Sequence, residues 1–156
     1  MGSSNAETVL ATYESYNRGD LDDWLRPYAD RAVIKDHPRS LSLSRPEELR
    51  AWKSEFKKAS PDDCVTDPRI TDGEDMVLAR FVARGTNDGP LGPFPATGRK
   101  YSVPVCEIFR FDSQGRIVEQ DVYYDRLSLL LQLGHAEMPG ELTATKGRWE
   151  GGADGR

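Results

Sequence analysis

The chain has 156 residues, of which 30% are charged, with a net charge of −5 and a pI near 5.1. This length is typical of one domain with one core. An acidic chain without a dense stripe of Lys and Arg lacks the basic patch that neutralises phosphates, so we expect no nucleic-acid partner. No run of about 18 apolar residues occurs, and the N-terminus lacks the build of a signal peptide, so we expect no membrane partner and a cytoplasmic location.

The cysteines and histidines predict neither a disulfide framework nor a metal site. Cys64 and Cys106 are the only cysteines, His37 and His135 the only histidines, and no C-x-x-C or H-x-x-x-H spacing occurs. We therefore predict reduced, structural cysteines and no protein-held metal. Catalysis would have to use carboxylates, hydroxyls and the shape of a pocket, without a cofactor.

The first third of the chain predicts two helices in a hairpin. A helix over residues 6–17 would be capped by Asn5 and end at Gly19. Its apolar face is formed by Val9, Tyr13 and Tyr16. A shorter helix over residues 19–29 follows, with Tyr28 on its apolar stripe.

The next segment predicts a strand and then a well-marked helix. Residues 31–36 alternate as a strand that places Ala32, Ile34 and Asp36 on one face. In residues 44–60, Ser44 and Glu47 have the spacing of a capping box. The buried stripe of this helix consists of Leu49, Trp52, Phe56 and Ala59.

From residue 64 onward the hydrophobic period changes to two. Strands are predicted over residues 64–70, 76–86, 99–111 and 116–124, and a last short helix over residues 125–134. The Gly- and Pro-rich loop of residues 87–98 is long enough to cover a site. Residues 1–134 are thus predicted to form one α+β domain, a curved antiparallel sheet wrapped around the helices as a cone, and residues 135–156 a mobile tail anchored at most by Trp149.

One strand carries a carboxylate on its apolar face. Every second residue from position 101 belongs to that face: Tyr101, Val103, Val105, Glu107, Phe109 and Phe111. An unpaired buried carboxylate costs several kcal/mol. Glu107 therefore either faces water, pairs with an Arg, or serves a function.

Two further polar residues, Asp36 and Tyr16, have two possible roles each. Asp36 either forms a turn or shares an apolar cavity with Glu107, where two carboxyls can have their pKa values pushed apart and divide base and acid roles. Tyr16 is either core or a phenol donor to the cavity. Asp121 and Asp125 point away from the apolar face, and Asp125 is placed to cap the last helix.

Several segments together resemble a known family. "YNRGDLDDWLRPYADRAVIKDHP", "GPFPATGR" and "LLQLG", within residues 9–134, resemble the SnoaL-like polyketide cyclases of the nuclear-transport-factor-2-like superfamily. That superfamily also holds ketosteroid isomerase and the epoxide hydrolase/cyclases of polyether pathways. The resemblance implies a cone-shaped α+β fold with a deep hydrophobic cavity, a small hydrophobic substrate and a homodimer.

The resemblance also implies site residues, and these agree with two branches in part. The acid of the aldol-type cyclases falls on Val122, its partner histidine on Glu107, and the histidine of "GTH" on Asn87, whereas a cyclase tyrosine matches Tyr16. The two acids of the isomerase and of the hydrolase/cyclases fall on Asp36 and Glu107.

Our leading hypothesis is a cofactor-free cyclase of polyketide-like metabolism. Asp36 would act as general base and Glu107 as general acid or oxyanion donor, while Tyr16 and Asn87 position a substrate oxygen. The cavity would be shaped by Trp52, Phe56, Val105, Phe109, Val122 and Tyr124. An epoxide-opening hydrolase/cyclase or an isomerase is the first alternative, and a non-catalytic small-molecule-binding module is the second.

Overall fold

The computed structural model of the protein describes residues 4–139, which form an α+β domain. The helices are α1 (Asn5–Asn17), α2 (Leu21–Leu25), α3 (Pro46–Ala59) and α4 (Arg126–Leu133). The strands are β1 (Tyr28–Asp36), β2 (Leu41–Leu43), β3 (Cys64–Asp72), β4 (Met76–Thr86), β5 (Lys100–Phe111) and β6 (Ile117–Tyr124). A single 3₁₀ turn, His37–Arg39, joins β1 to β2. The predicted tail lies outside the described residues from position 140 onward, including Trp149.

The six strands form one curved sheet in the order β2-β1-β6-β5-β4-β3. The α+β class is confirmed, but the sheet is not antiparallel throughout, because β1 and β6 pair in parallel. These two strands are far apart in sequence, so no hairpin turn imposes an antiparallel pairing on them. Strand β2 was not predicted, since three residues are too few for an alternation to be visible.

The helix starts differ from the predicted ones by about one residue. Helix α1 is capped by Ser4 rather than Asn5: the Ser4 hydroxyl accepts from the Glu7 amide at 3.2 Å, and the Glu7 carboxylate accepts from the Ser4 amide at 2.8 Å. At α3 the carboxylate that completes the capping box belongs to Glu48, not to the predicted Glu47. It accepts from the Arg45 amide at 3.2 Å. In both helices a Glu of the first turn satisfies an amide that the helix itself leaves free.

Two further boundaries follow from single residues. Helix α2 stops at Leu25, and Tyr28 belongs to β1 rather than to the helix, because Pro27 cannot continue the hydrogen-bonding pattern of α2. Asp125 caps α4 as predicted, accepting from the Ser128 amide at 3.0 Å. No helix within residues 4–139 has the length and apolar character needed to cross a membrane.

The core lies between the inner face of the sheet and helices α1 to α3. The predicted alternation along β5 is confirmed, since Val103, Val105, Glu107, Phe109 and Phe111 are all buried. A second, smaller cluster closes the other end of the sheet, where the loop of residues 87–98 meets α4. It consists of Ala59, Leu91, Val103, Leu129 and Leu133.

Candidate active site

A largely apolar cavity lies between these two clusters, with about 720 Å³ of empty space including the part open to solvent. Its walls come from α1, α3, the inner sheet face, the loop of residues 87–98 and α4. Five of the six residues predicted to shape it do line it: Trp52, Phe56, Val105, Val122 and Tyr124.

Phe109 is the sixth residue, and it does not line the cavity because it lies further into the core, past Glu107. Its ring packs against the ring of Tyr13, with centroids 6.3 Å apart, in the closed end of the core. Glu107 comes two residues earlier on β5 and is the last residue of that strand to line the cavity. The carboxylate therefore forms the floor of an otherwise apolar space.

Glu107 and Asp36 lie in one row across the sheet. Val122 is the backbone partner of Asp36 in the β1–β6 pair and of Glu107 in the β6–β5 pair. Since neighbouring strands are about 4.8 Å apart, the two acids are separated by two strand spacings, with Val122 between them. The two acids that the resemblance singled out are thus on one face and in one register. They flank Val122, the position that the resemblance matches to the acid of the aldol-type cyclases.

Glu107 is held by a buried polar network. The Tyr13 hydroxyl donates to Glu107 Oε2 at 2.8 Å, and Gln120 also hydrogen-bonds to this carboxylate. The Tyr28 hydroxyl in turn donates to Gln120 Oε1 at 2.6 Å. Glu107 is 2% exposed, so the wet face considered from sequence is not observed, and no Arg of residues 4–139 pairs with its carboxylate.

Burial raises the pKa of the Glu107 carboxyl above its ordinary value. The Lys53 charge and the hydrogen bonds from Tyr13 and Gln120 offset this in part, while the charge of Asp36 adds to it. A carboxyl whose pKa is raised in this way can hold a proton at pH values where a surface Glu is ionised. This property suits a general acid or base.

Asp36 is fully buried but does not line the cavity. Its Oδ2 accepts from Arg39 Nε at 2.7 Å and from the Trp52 indole at 2.9 Å, and Trp52 stands on the cavity wall. Asp36 directly precedes the 3₁₀ turn, where the turn role weighed from sequence places it, but its side chain makes no capping bond to the turn backbone and accepts from the Arg39 side chain instead. The Arg pair that was one alternative for Glu107 is made by Asp36 instead.

Two buried polar atoms at Asp36 and its partner Arg39 have no hydrogen-bond partner within residues 4–139. They are Asp36 Oδ1 and Arg39 Nη2, whereas the hydroxyl of Tyr124, whose side chain lines the cavity, interacts with Arg126. Buried polar atoms in native proteins are nearly always satisfied, by protein or by water. These unpartnered atoms can therefore form hydrogen bonds with an oxygen atom from outside the chain.

Lys53 is a cavity residue that the sequence interpretation missed. It is 6% exposed, and its Nζ lies 4.0 Å from the centroid of the Tyr16 ring. Burial lowers the pKa of this amine, and the charges of Glu107 and Asp63 offset part of the effect. The available signal was its position four residues after Leu49 and beside Trp52, on the buried stripe of α3.

Asp63 is the second missed residue, and it holds two tyrosines. The Tyr16 hydroxyl donates to Asp63 Oδ2, and the Tyr101 hydroxyl donates to Oδ1 at 2.5 Å. Burial first, and then the charge of Asp63, raise the pKa of both phenols. They remain protonated donors, and Tyr16 is tied to Asp63 rather than to Glu107.

The position of Tyr101 depends on a glycine on the neighbouring strand. Gly85 is its backbone partner across β4 and β5, and a Cβ at Gly85 would lie 2.5 Å from the Tyr101 hydroxyl. No sequence signal marked Asp63, which follows another Asp in an ordinary turn segment, "SPDDC".

Asn87 lines the cavity, but its polar atoms are engaged by the covering loop. Its Nδ2 donates to the Gly89 carbonyl at 2.8 Å, and its Oδ1 accepts from the Thr97 amide at 3.0 Å. A contact from Asn87 to a substrate oxygen stays a prediction. The observed contacts give this residue a role in holding the loop against α3.

The comparisons with known proteins agree with this architecture. A family model for the SnoaL-like domain matches residues 9–120. This chain belongs to the SnoaL-like domain family. The matched segment includes both acids, Lys53 and Asp63, and ends two residues before Val122.

Solved structures place the SnoaL-like domain described here within the nuclear-transport-factor-2-like fold, as predicted. IdmH from Streptomyces antibioticus, a proposed polyketide cyclase, is 28% identical with a TM-score of 0.74, covering 85% of this chain and 99% of that one. AclR from Streptomyces galilaeus, a proposed hydroxylase, is 23% identical with a TM-score of 0.75, covering 85% and 97%. A proposed SnoaL-like polyketide cyclase from Jannaschia sp. CCS1 is 21% identical with a TM-score of 0.77, covering 85% and 93%. No curated protein matches the sequence.

Proposed function

We propose that this SnoaL-like protein is an enzyme that cyclises a hydrophobic, polyketide-like substrate by proton transfer from and to its own side chains, without a cofactor. The observation that carries the proposal is Glu107, a buried carboxyl with a raised pKa at the floor of an apolar cavity. The similarity to proposed polyketide cyclases supports the substrate class.

Glu107 transfers the proton in this proposal, and Asp36 assists it. A base that removes a proton from a substrate must come within hydrogen-bond reach of it, and Glu107 borders the cavity whereas Asp36 does not. Asp36 acts through its negative charge, which favours the protonated form of Glu107. This replaces the direct base role expected for Asp36 from sequence.

The tyrosines position the acidic side chains, and the cavity walls hold the substrate. Tyr13 orients the Glu107 carboxylate, while the Tyr16 and Tyr101 phenols fix Asp63 at the side of the cavity. General acid–base catalysis contributes about 10²–10⁴-fold, so much of the acceleration has to come from holding a flexible chain in a reactive conformation. The shape set by Trp52 and Phe56 therefore matters as much as the acid.

Proton exchange at a ketone tests the acid–base step without knowledge of the natural substrate. We expect the wild-type protein to accelerate exchange of the C1 protons of 2-tetralone in D₂O, measured by proton NMR. Glu107→Gln should reduce the catalysed rate by about 10²–10⁴-fold, because the amide cannot take up the proton.

Glu119→Gln is the matched control. Glu119 lies on the outer face of β6, where it pairs with Lys35 at 3.3 Å, and its substitution should leave the exchange rate unchanged. Equal rates for the wild type and Glu107→Gln would rule out Glu107 as the proton-transferring group.

Opening of an epoxide is a second candidate, favoured by the unpartnered atoms around Asp36. Asp36 Oδ1 and Arg39 Nη2 could hold a water or an alcohol oxygen beside the cavity. Styrene oxide, assayed in parallel for diol formation, should then be hydrolysed by the wild type and not by Asp36→Asn. Binding of both probes without turnover of either would favour the non-catalytic binding module instead.

A further inference from the structure

Lys53 is a buried cation on the wall of the cavity. Its Nζ lies over aromatic rings on several sides, at 4.0 Å from the Tyr16 centroid, 5.4 Å from Trp52, 5.6 Å from Trp24 and 6.0 Å from Phe56. Ring faces attract a cation but accept no strong hydrogen bond from it. The three donor hydrogens of an ammonium are therefore only partly compensated by these contacts.

The charged groups around Lys53 are near it without bonding to it. Glu107 lies on the floor and Asp63 at the side of the cavity, and both charges act on the Lys53 amine. Within residues 4–139, however, no carboxylate oxygen lies within 4.0 Å of Lys53 Nζ. Leaving a buried ammonium without an anion costs several kcal/mol, so a chain seldom retains one without a use for it.

The neighbouring lysine on α3 differs in this respect. Lys57, one turn further on, donates from its Nζ to the Asp63 carbonyl at 2.5 Å and lies 4.5 Å from the Tyr16 centroid. Its ammonium already has an acceptor. Of the two lysines that lie over Tyr16 within residues 4–139, Lys53 alone borders the cavity and makes no hydrogen bond.

We propose that the ligand of this cavity carries an anionic oxygen, either a carboxylate or an enolate, and that the Lys53 ammonium binds it. The inference rests on the proposed function for its chemical meaning: once Glu107 has removed a proton next to a carbonyl, the resulting enolate oxygen needs a cation. A preorganised cation in an apolar site stabilises such a developing charge far more than water does.

Paired probes of equal shape test the carboxylate arm. The full-length protein is titrated with 2-naphthoate and with 2-naphthamide, and ligand binding is followed by calorimetry. We expect the wild type to bind the naphthoate at least about tenfold more tightly than the amide, and Lys53→Met to lose or reverse this preference.

Lys58→Met is the control, because Lys58 is exposed on the same helix. It should behave as the wild type in both titrations. Since Lys53→Met replaces a buried cation by an apolar side chain of similar length, its thermal midpoint should be equal to or above that of the wild type, and loss of binding through unfolding would be visible in the same experiment.

The enolate arm uses 2-acetyl-1-tetralone, whose enolate is followed by ultraviolet absorbance. Binding to the wild type should shift the bound diketone toward its enolate and lower its apparent pKa, and Lys53→Met should remove the shift. A shift without any preference for naphthoate would assign Lys53 to enolate stabilisation alone, and the reverse result to recognition of a carboxylate.

Equal behaviour of the wild type and Lys53→Met in both arms, or no binding of either anion by the wild type, would overturn the inference. It can fail independently of the proposed function. Proton exchange that depends on Glu107, combined with anion binding that ignores Lys53, would refute the anion site alone, and the opposite pair of results would refute the acid–base step alone.

Discussion

Glu107 occupies a strand position whose neighbours on the same face, Val105 and Phe109, are both buried and apolar. The chain accommodates it by surrounding the carboxyl with the donors Tyr13 and Gln120 rather than with an arginine. Burial still dominates, so the pKa of Glu107 is raised. A group that destabilises its own ionised form in this way links folding to pH.

The pH dependence of stability has a defined sign. As pH rises above about 4.5, the unfolded chain ionises Glu107 without cost, whereas the folded chain must keep the proton or bury a charge. The unfolding free energy of the wild type should therefore fall relative to Glu107→Gln between about pH 5 and about pH 8, by about 1.4 kcal/mol for each unit of pKa elevation. Urea unfolding at the two pH values measures this difference.

Glu48→Gln provides the opposite case. The guanidinium of Arg45 lowers the pKa of the half-buried Glu48 to about 2, so this group is ionised in both folded and unfolded chains across that range. Its substitution should change stability by the same amount at both pH values. A difference between Glu107→Gln and the wild type that does not grow with pH would contradict the assigned burial of Glu107.

At the scale of elements, the loop of residues 87–98 and helix α4 together close the cavity. Leu91 from the loop packs with Leu129 and Leu133 from α4. The loop is attached to the end of α3 through Gly89, whose amide donates to the Ala59 carbonyl at 2.9 Å. Only glycine fits there, since a Cβ would lie 2.0 Å from the Lys58 carbonyl oxygen.

Asn87→Ala should loosen this cover. The substitution removes the hydrogen bonds of Asn87 with the Gly89 carbonyl and the Thr97 amide, which are both part-buried, and a typical hydrogen bond contributes about 0.5–1.5 kcal/mol. We expect faster backbone hydrogen exchange over residues 87–98, measured by mass spectrometry, and weaker binding of naphthoate. Asp88→Ala, at the exposed neighbouring position, should leave exchange unchanged. Unaltered exchange in Asn87→Ala would show that the apolar contacts alone hold the loop.

At the scale of the whole molecule, the outer face of the sheet differs in character from the inner face. It carries an ion pair between strands, Lys35 with Glu119 at 3.3 Å, and a contact between His37 Nε2 and Asp121 Oδ1 at 2.6 Å. Tyr123 stands on this face, 44% exposed, with its ring stacked at 4.4 Å on that of His37. Aromatic residues such as Tyr are enriched in the interfaces between protein chains.

We propose a homodimer, as the family resemblance implies, with Tyr123 in its interface. Light scattering after size-exclusion chromatography should give about twice the chain mass of 17.5 kDa. Tyr123→Glu should shift the population toward the monomer, because it places a charge in the contact. A monomeric wild type at micromolar concentration would contradict the proposal.

The sequence by itself determined the α+β class, the inward face of β5, the placement of Glu107 on that face and the cap of α4 by Asp125. These properties follow from the alternation of side chains along a strand and from the unsatisfied amides at a helix start, both of which extend over a few neighbouring residues. The resemblance added that Asp36 and Glu107 correspond to a pair of acids.

Only the tertiary structure decided which polar groups meet. The contacts of Tyr13 with Glu107 and of Tyr16 with Asp63 join residues 94 and 47 positions apart. The parallel pairing of β1 with β6, which sets Asp36, Val122 and Glu107 in one row, is likewise a long-range choice. Local periodicity shows which side of an element is buried, but whether a buried side chain borders a cavity, as Lys53 does, or lies beneath it, as Phe109 does, depends on how distant elements pack.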